Sequence, residues 1–234
     1  MMSLRPLLVA FLIFCCNSCA VSPPSPAPGV AAPGVSFLAL GDSYTIGEGE
    51  AEAARWPVQL AALARQQGLA VQEPTVIART GWTTAELQAA LADARPAPTY
   101  GLVSLLIGVN NQYQGQSVAR YRPEFRALLR AAIGLAGGRA GRVVVLSIPD
   151  WGQSPFGQQQ GRDVAAIGRE IDQFNAVAQD ECRQAGVAYV DITALTRAAA
   201  PDRSQFTRDG LHYSQAQMRQ WAERVLPVVQ SQLQ

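Results

Sequence analysis

From residue 35 onward the chain alternates between short apolar runs and longer stretches of helical period. "VSFLAL" (35–40) is a strand-type run. In "RWPVQLAALARQQG" (55–68), Trp56, Leu60 and Leu63 fall on one helical face, and Gly68 closes it. "VQEPTVIA" (71–78) reads as a weaker strand, and Pro74 places it at a sheet edge. "TTAELQAALADA" (83–94) opens on Thr, carries Glu86 in its first turn and sets Leu87 one turn before Leu91, a helix start signal. "GLVSLLIG" (101–108) is apolar on both alternating faces, as a central buried strand must be. Residues 117–136 place Phe125, Leu128, Leu129 and Ala132 on one helical face. "RVVVLSIP" (142–149) is the plainest strand and stops at Pro149. Val164, Ile167, Ile171, Phe174 and Ala178 then stripe a helix over 163–186, ended by Gly186. "VAYVDI" (187–192) is a fifth strand, and 214–233 is a last helix that Pro227 should kink or shorten.

Five strands alternating with helices require crossover connections, hence a parallel sheet covered on both faces. The expected fold is α/β: a three-layer α/β/α sandwich with a flavodoxin-like five-stranded parallel sheet in the order 2-1-3-4-5. In such sheets ligands bind beyond the carboxyl ends of the strands. The residues found there are unusual. Gly41-Asp42-Ser43-Tyr44 follows the first strand, Arg79-Thr80-Gly81-Trp82 the second, Gly108-Val109-Asn110-Asn111 the third and Pro149-Asp150-Trp151 the fourth. The fifth leads to "RDGLHYS" (208–214). All these clusters fall on one edge of the sheet, which brings Ser43 and His212 within reach of each other.

Composition narrows the chemistry. The chain holds a single histidine among 234 residues, so His212 is the one imidazole available as a base. Basic and acidic side chains balance at 19 and 18, with no basic stripe, which argues against a nucleic-acid partner. No Gly-x-Ser-x-Gly elbow occurs, and no lysine exists to complete a phosphate-binding loop. One histidine and no cysteine cluster within the domain argue against a metal site. "GEGE" (47–50) is too short for a dinucleotide loop. Cys182, the one cysteine in the domain, has no disulfide partner there and reads as structural.

Serine is a poor nucleophile at neutral pH and needs a neighbouring base, which an imidazole supplies. The ring must be oriented, usually by a carboxylate on its other nitrogen. Asp209, three residues before His212, either does this or caps the last helix. The backbone N–H groups of Ser43 and Gly81 and the Asn110 amide are the available donors for an oxyanion. Trp82, Trp151 and Phe156 either line a pocket or pack in the core. Asn111, Gln112 and Tyr113 are further candidate substrate contacts.

"GDSYT", "RTGWTT", "IGVNNQ" and "DGLH" resemble, in order, the blocks of the SGNH (GDSL-type) hydrolase superfamily. The resemblance spans roughly residues 35 to 232 and implies the same three-layer fold. It implies Ser43, Asp209 and His212 as catalytic residues and Ser43, Gly81 and Asn110 as the oxyanion hole. It also implies esterase, lipase, thioesterase or carbohydrate deacetylase activity without a metal or organic cofactor. The expected partners are therefore small-molecule, lipid or acylated-carbohydrate esters. Asn111 stands where the third block usually has Asp; altered loop hydrogen bonding, not inactivity, is the expected consequence. The alternative is a surface lipoprotein that binds on the same fold without turnover, for which retention of all three residues has no use.

Residues 1–18 have one Arg, an apolar run from Leu7 to Phe14 and then small residues, the order of an export signal. With Cys19 as lipid acceptor the segment resembles a bacterial lipoprotein signal, although Cys16 stands where that signal usually has Leu. Residues 19–34 read as a Pro/Ala/Ser-rich tether before a domain at 35–234. The expectation is an exported protein, periplasmic or at the cell surface, held to a membrane by its lipid.

Overall fold

The computed structural model describes residues 34–97 and 99–234. The expected signal segment, the acceptor Cys19 and all but the last residue of the tether lie outside these. Strand β1 (Phe37–Gly41) leads directly into a short helix α1 (Ser43–Ile46), followed by α2 (Trp56–Gln66). Next come β2 (Thr75–Ala78), α3 (Thr84–Ala94), β3 (Leu102–Leu106), α4 (Val109–Tyr113) and α5 (Val118–Leu135). The chain ends with β4 (Val143–Leu146), α6 (Val164–Ala185), β5 (Ala188–Val190), α7 (Thr193–Ala199) and α8 (Gln215–Leu233).

The sheet is parallel throughout, in the order β2-β1-β3-β4-β5. Every residue of β1, β3 and β4 is buried, as continuous apolar strands covered on both faces should be. α2 packs against α8, while α5 packs against both α3 and α6. The helix starts are written locally. Thr83 and Glu86 form the reciprocal capping box of α3, and Asp42, Ser117, Asp163 and Ser214 each cap the helix that follows. Gly186 takes the left-handed conformation that ends α6.

Two differences from the sequence expectation stand out. α8 reaches Leu233, as its predicted span does, without being shortened at Pro227, held by buried Trp221, Val225 and Val229 on its inner face. The second strand begins only at Thr75, since Gln72 and Glu73 are exposed and an edge strand has one neighbour to hold it. The register explains the placement of the site. Gly41 pairs with Ala78 on one side and Leu106 on the other, so three loops leave the sheet at one level.

Candidate active site

β1 ends in a turn with no room for a side chain. A Cβ at Gly41 would overlap the Thr45 hydroxyl and lie 2.5 Å from the Leu106 carbonyl oxygen. Asp42 then caps α1: its Oδ1 accepts the Tyr44 N–H at 3.0 Å. Ser43 becomes the first residue of that helix, whose opening N–H groups have no partner within it. Asp42 is fully buried and its other oxygen has no partner among the described residues. Burial therefore pushes its pKa up to about 7, against the opposing pull of the Tyr44 N–H and its own N–H.

The loop carrying the histidine folds back on itself. Phe206 and Tyr213 form an antiparallel bridge, and the Thr207 N–H donates to the His212 carbonyl at 2.8 Å. Asp209 organises the turn between them. Its Oδ2 lies 2.6 Å from His212 Nδ1. Its Oδ1 accepts from the Thr207 hydroxyl (2.8 Å), the Leu211 N–H (2.8 Å) and the His212 N–H (3.0 Å). Partial burial works against the carboxylate, but these donated bonds outweigh it and hold its pKa well below the usual carboxylate range. An ionised Asp209 facing Nδ1 fixes that nitrogen as the donor and leaves Nε2 as the acceptor. The Tyr44 ring meets the His212 ring edge-on at 5.7 Å, joining the serine's helix to the histidine's loop.

Both loops open on one cavity of about 180 Å³. Ser43 and Tyr44 line it from the first strand, Thr80 and Gly81 from the second, Val109, Asn110 and Tyr113 from the third. Trp151 closes it from the fourth, and Leu211 and His212 from the last loop. Gly81 has φ +82°, a left-handed conformation that a side chain disfavours, although a Cβ there would meet nothing within 4 Å. Its N–H has no acceptor among the described residues. Asn110 Nδ2 donates one hydrogen to the Trp82 carbonyl at 2.9 Å, leaving its second free. The five residues Ser43, Gly81, Asn110, Asp209 and His212 are thus brought together.

A family model, the GDSL-like lipase/acylhydrolase family, matches residues 39–220. The chain belongs to this family. No curated protein matches it. Among solved structures, this GDSL-like acylhydrolase is similar to the lipase/acylhydrolase from Enterococcus faecalis, with 20% identity and a TM-score of 0.62 over 86% of this chain and 97% of that one. TesA gives 19% and 0.64 over 85% and 99%. A variant of an acetyl xylan esterase from Geobacillus stearothermophilus gives 19% and 0.63 over 84% and 94%. At these identities the likeness shows the shared fold. Membership of the family makes the chain a hydrolase of ester bonds.

Several expected substrate contacts of the acylhydrolase need correction. Asn111 is fully buried and does not face the cavity. Its Oδ1 accepts the Thr84 N–H, and its Nδ2 reaches Thr84 Oγ1 and Gln116 Oε1, so it ties the third loop to the start of α3. Neither the Trp82 nor the Phe156 side chain lines the cavity; both pack against the core. Gln112 is buried behind the wall, accepting the Trp151 indole N–H at 2.7 Å and donating to Glu170 at 2.6 Å. Tyr113 and Trp151 do face the cavity, with ring centroids 5.1 Å apart. Tyr44, Thr80, Val109 and Leu211, which the sequence placed in the edge clusters without a role, also line the cavity. Their signal was adjacency: each stands next to a residue already singled out.

Proposed function

We propose that the protein is a serine esterase acting through an acyl-enzyme, with Ser43 as nucleophile, His212 as base and Asp209 holding the imidazolium. The observation that carries this is the Asp209–His212 Nδ1 contact of 2.6 Å beside a cavity that Ser43 also lines. His212 Nε2 takes the Ser43 hydroxyl proton as Oγ attacks the ester carbonyl. The oxyanion is received by the N–H groups of Ser43 and Gly81 and the remaining Asn110 hydrogen. The imidazolium then protonates the departing alkoxide. Water, deprotonated by the same ring, releases the acid and restores Ser43.

The acyl group is short. The cavity beside Ser43 is small, about 180 Å³, of the order of a space that holds a benzene-sized group, and it opens to solvent on one side. Trp151, 1% exposed and pinned by Gln112, walls the cavity on one side. Tyr113, 48% exposed at the cavity, favours deacetylation of a carbohydrate as the more specific reading, since an exposed aromatic face suits the C–H face of a sugar ring. Anchoring by lipid on Cys19 remains part of the proposal. It rests on the residues of the leader alone.

The test is hydrolysis of p-nitrophenyl esters from acetate to palmitate, and of an acetylated xylooligosaccharide, by the protein and its Ser43→Ala variant. Loss of all activity in the variant, with an optimum at short chains, is expected. Turnover that survives the substitution, or a palmitate optimum, contradicts the proposal.

A further inference from the structure

The "GEGE" segment has no part in the chemistry above, yet it touches the loops that carry Ser43, Gly81 and His212. Glu48 is central. Its backbone N–H donates to the carbonyl of Ser43 at 3.1 Å, beside the Gly47 N–H, which donates to the same oxygen. Its carboxylate accepts the hydroxyl of Thr80, the residue before Gly81. The next residues reach the other side of the cavity. A Cβ at Gly49 would lie 3.0 Å from the Thr207 side chain, whose hydroxyl donates to Asp209. Glu50 Oε1 accepts the Gln215 N–H at the start of α8.

The loop that carries Gly81 needs such a support. β2 is a four-residue edge strand, and residues 79–81 that leave it are exposed. A backbone turn with little packing fluctuates unless side chains hold it. Two holds exist, one on each side of Gly81. Asn110 grips the Trp82 carbonyl, and Glu48 grips the Thr80 hydroxyl. The second hold begins at the serine's own carbonyl. It therefore fixes the Gly81 N–H relative to the Ser43 N–H, and a displacement of the order of 1 Å between such donors is costly to the rate.

We propose that Glu48 is a positioning residue that sets the separation of the Ser43 and Gly81 amides by holding Thr80. The inference rests on the acyl-enzyme reading for its effect on rate. The clamp itself is independent of that reading. The charge of Glu48 is not required; a hydrogen-bond acceptor at the end of its side chain is.

The experiment compares Glu48→Ala, Glu48→Gln, Thr80→Val and the double variant Glu48→Ala/Thr80→Val on p-nitrophenyl acetate, with amide exchange followed over residues 79–82. Loss of either partner is expected to lower kcat about tenfold while KM changes by less than about twofold. The double variant should fall no further than the singles, and Glu48→Gln, whose side-chain carbonyl still accepts from Thr80, should keep most of the rate. Exchange over 79–82 should quicken in Glu48→Ala and Thr80→Val but not in Glu48→Gln. Unchanged kcat, losses that multiply in the double variant, or unchanged exchange each overturn the proposal. Thr80→Val, at an exposed position, keeps the test in force if Glu48→Ala fails to fold. Should Ser43→Ala still turn over, the acyl-enzyme reading falls, and exchange over 79–82 alone then decides whether Glu48 holds the turn.

Discussion

The Asp209 carboxylate faces the His212 ring at 2.6 Å while accepting three further hydrogen bonds from its own turn. The turn thus preorganises the carboxylate and the ring as one unit. Asp209→Asn leaves the side chain in place but no longer selects the Nδ1–H tautomer. We expect kcat on p-nitrophenyl acetate to drop on the order of 10³-fold with little change in KM. A drop of less than about tenfold would remove Asp209 from the mechanism.

The same carboxylate shapes acid stability. Its pKa is depressed in the fold, so its stabilising contribution is present above the ordinary aspartate range and is lost as pH falls below it. Wild type should lose stability against urea more steeply than Asp209→Asn as pH drops below about 4. Parallel curves for the two proteins would contradict this.

Asp42 works in the opposite direction. Burial holds it protonated up to about pH 7 in the fold, whereas the unfolded chain ionises near 4. Its raised pKa means that stability is fullest below about pH 4 and declines as pH rises towards 7. Over this window the loss is on the order of 4 kcal/mol for a fully buried group. Asn at position 42 can still accept the Tyr44 N–H and does not titrate. Urea midpoints of Asp42→Asn should therefore gain on wild type from pH 4 to 7 and run parallel above it; a constant difference throughout would refute the assignment.

Trp151 forms one wall of the cavity. Trp151→Ala should cost about 3–5 kcal/mol of stability and raise the ratio of octanoate to acetate hydrolysis. Gln112→Leu leaves the indole N–H buried without its partner, at about 1–3 kcal/mol, and should shift the ratio the same way by a smaller amount. A ratio unchanged in both variants would show that the acyl chain lies elsewhere.

Gly81→Ala isolates backbone geometry. There is space for the methyl group but the left-handed conformation is strained, by about 1–2 kcal/mol. The variant should fold, melt slightly earlier and lose kcat because the donor moves. Full activity would mean that the Gly81 N–H is not an oxyanion donor.

The sheet order and the long helices were legible because each carries its own period and its own caps, as at Thr83/Glu86 and Gly186. The five residues of the site were legible because the register sends the loops out at one level. The short helices α1, α4 and α7, of four to seven residues, were not, since one turn shows no period. Pro227 does not shorten α8, because packing of its inner face outweighs local propensity. Asn111 misled for a different reason. Its place in the chain beside Asn110 says nothing about side-chain direction, and one step along α4 turns it from the cavity into the interior.

His212 is the sole imidazole of the chain. In a uniformly labelled sample every histidine ring signal in the nuclear magnetic resonance spectrum therefore arises from the site itself, without assignment by mutagenesis. The proton shared with Asp209 is open to direct observation, and chemical shift changes on adding ester, inhibitor or acid report on the site alone. The protein carries a built-in spectroscopic probe at the point where its chemistry is proposed to occur.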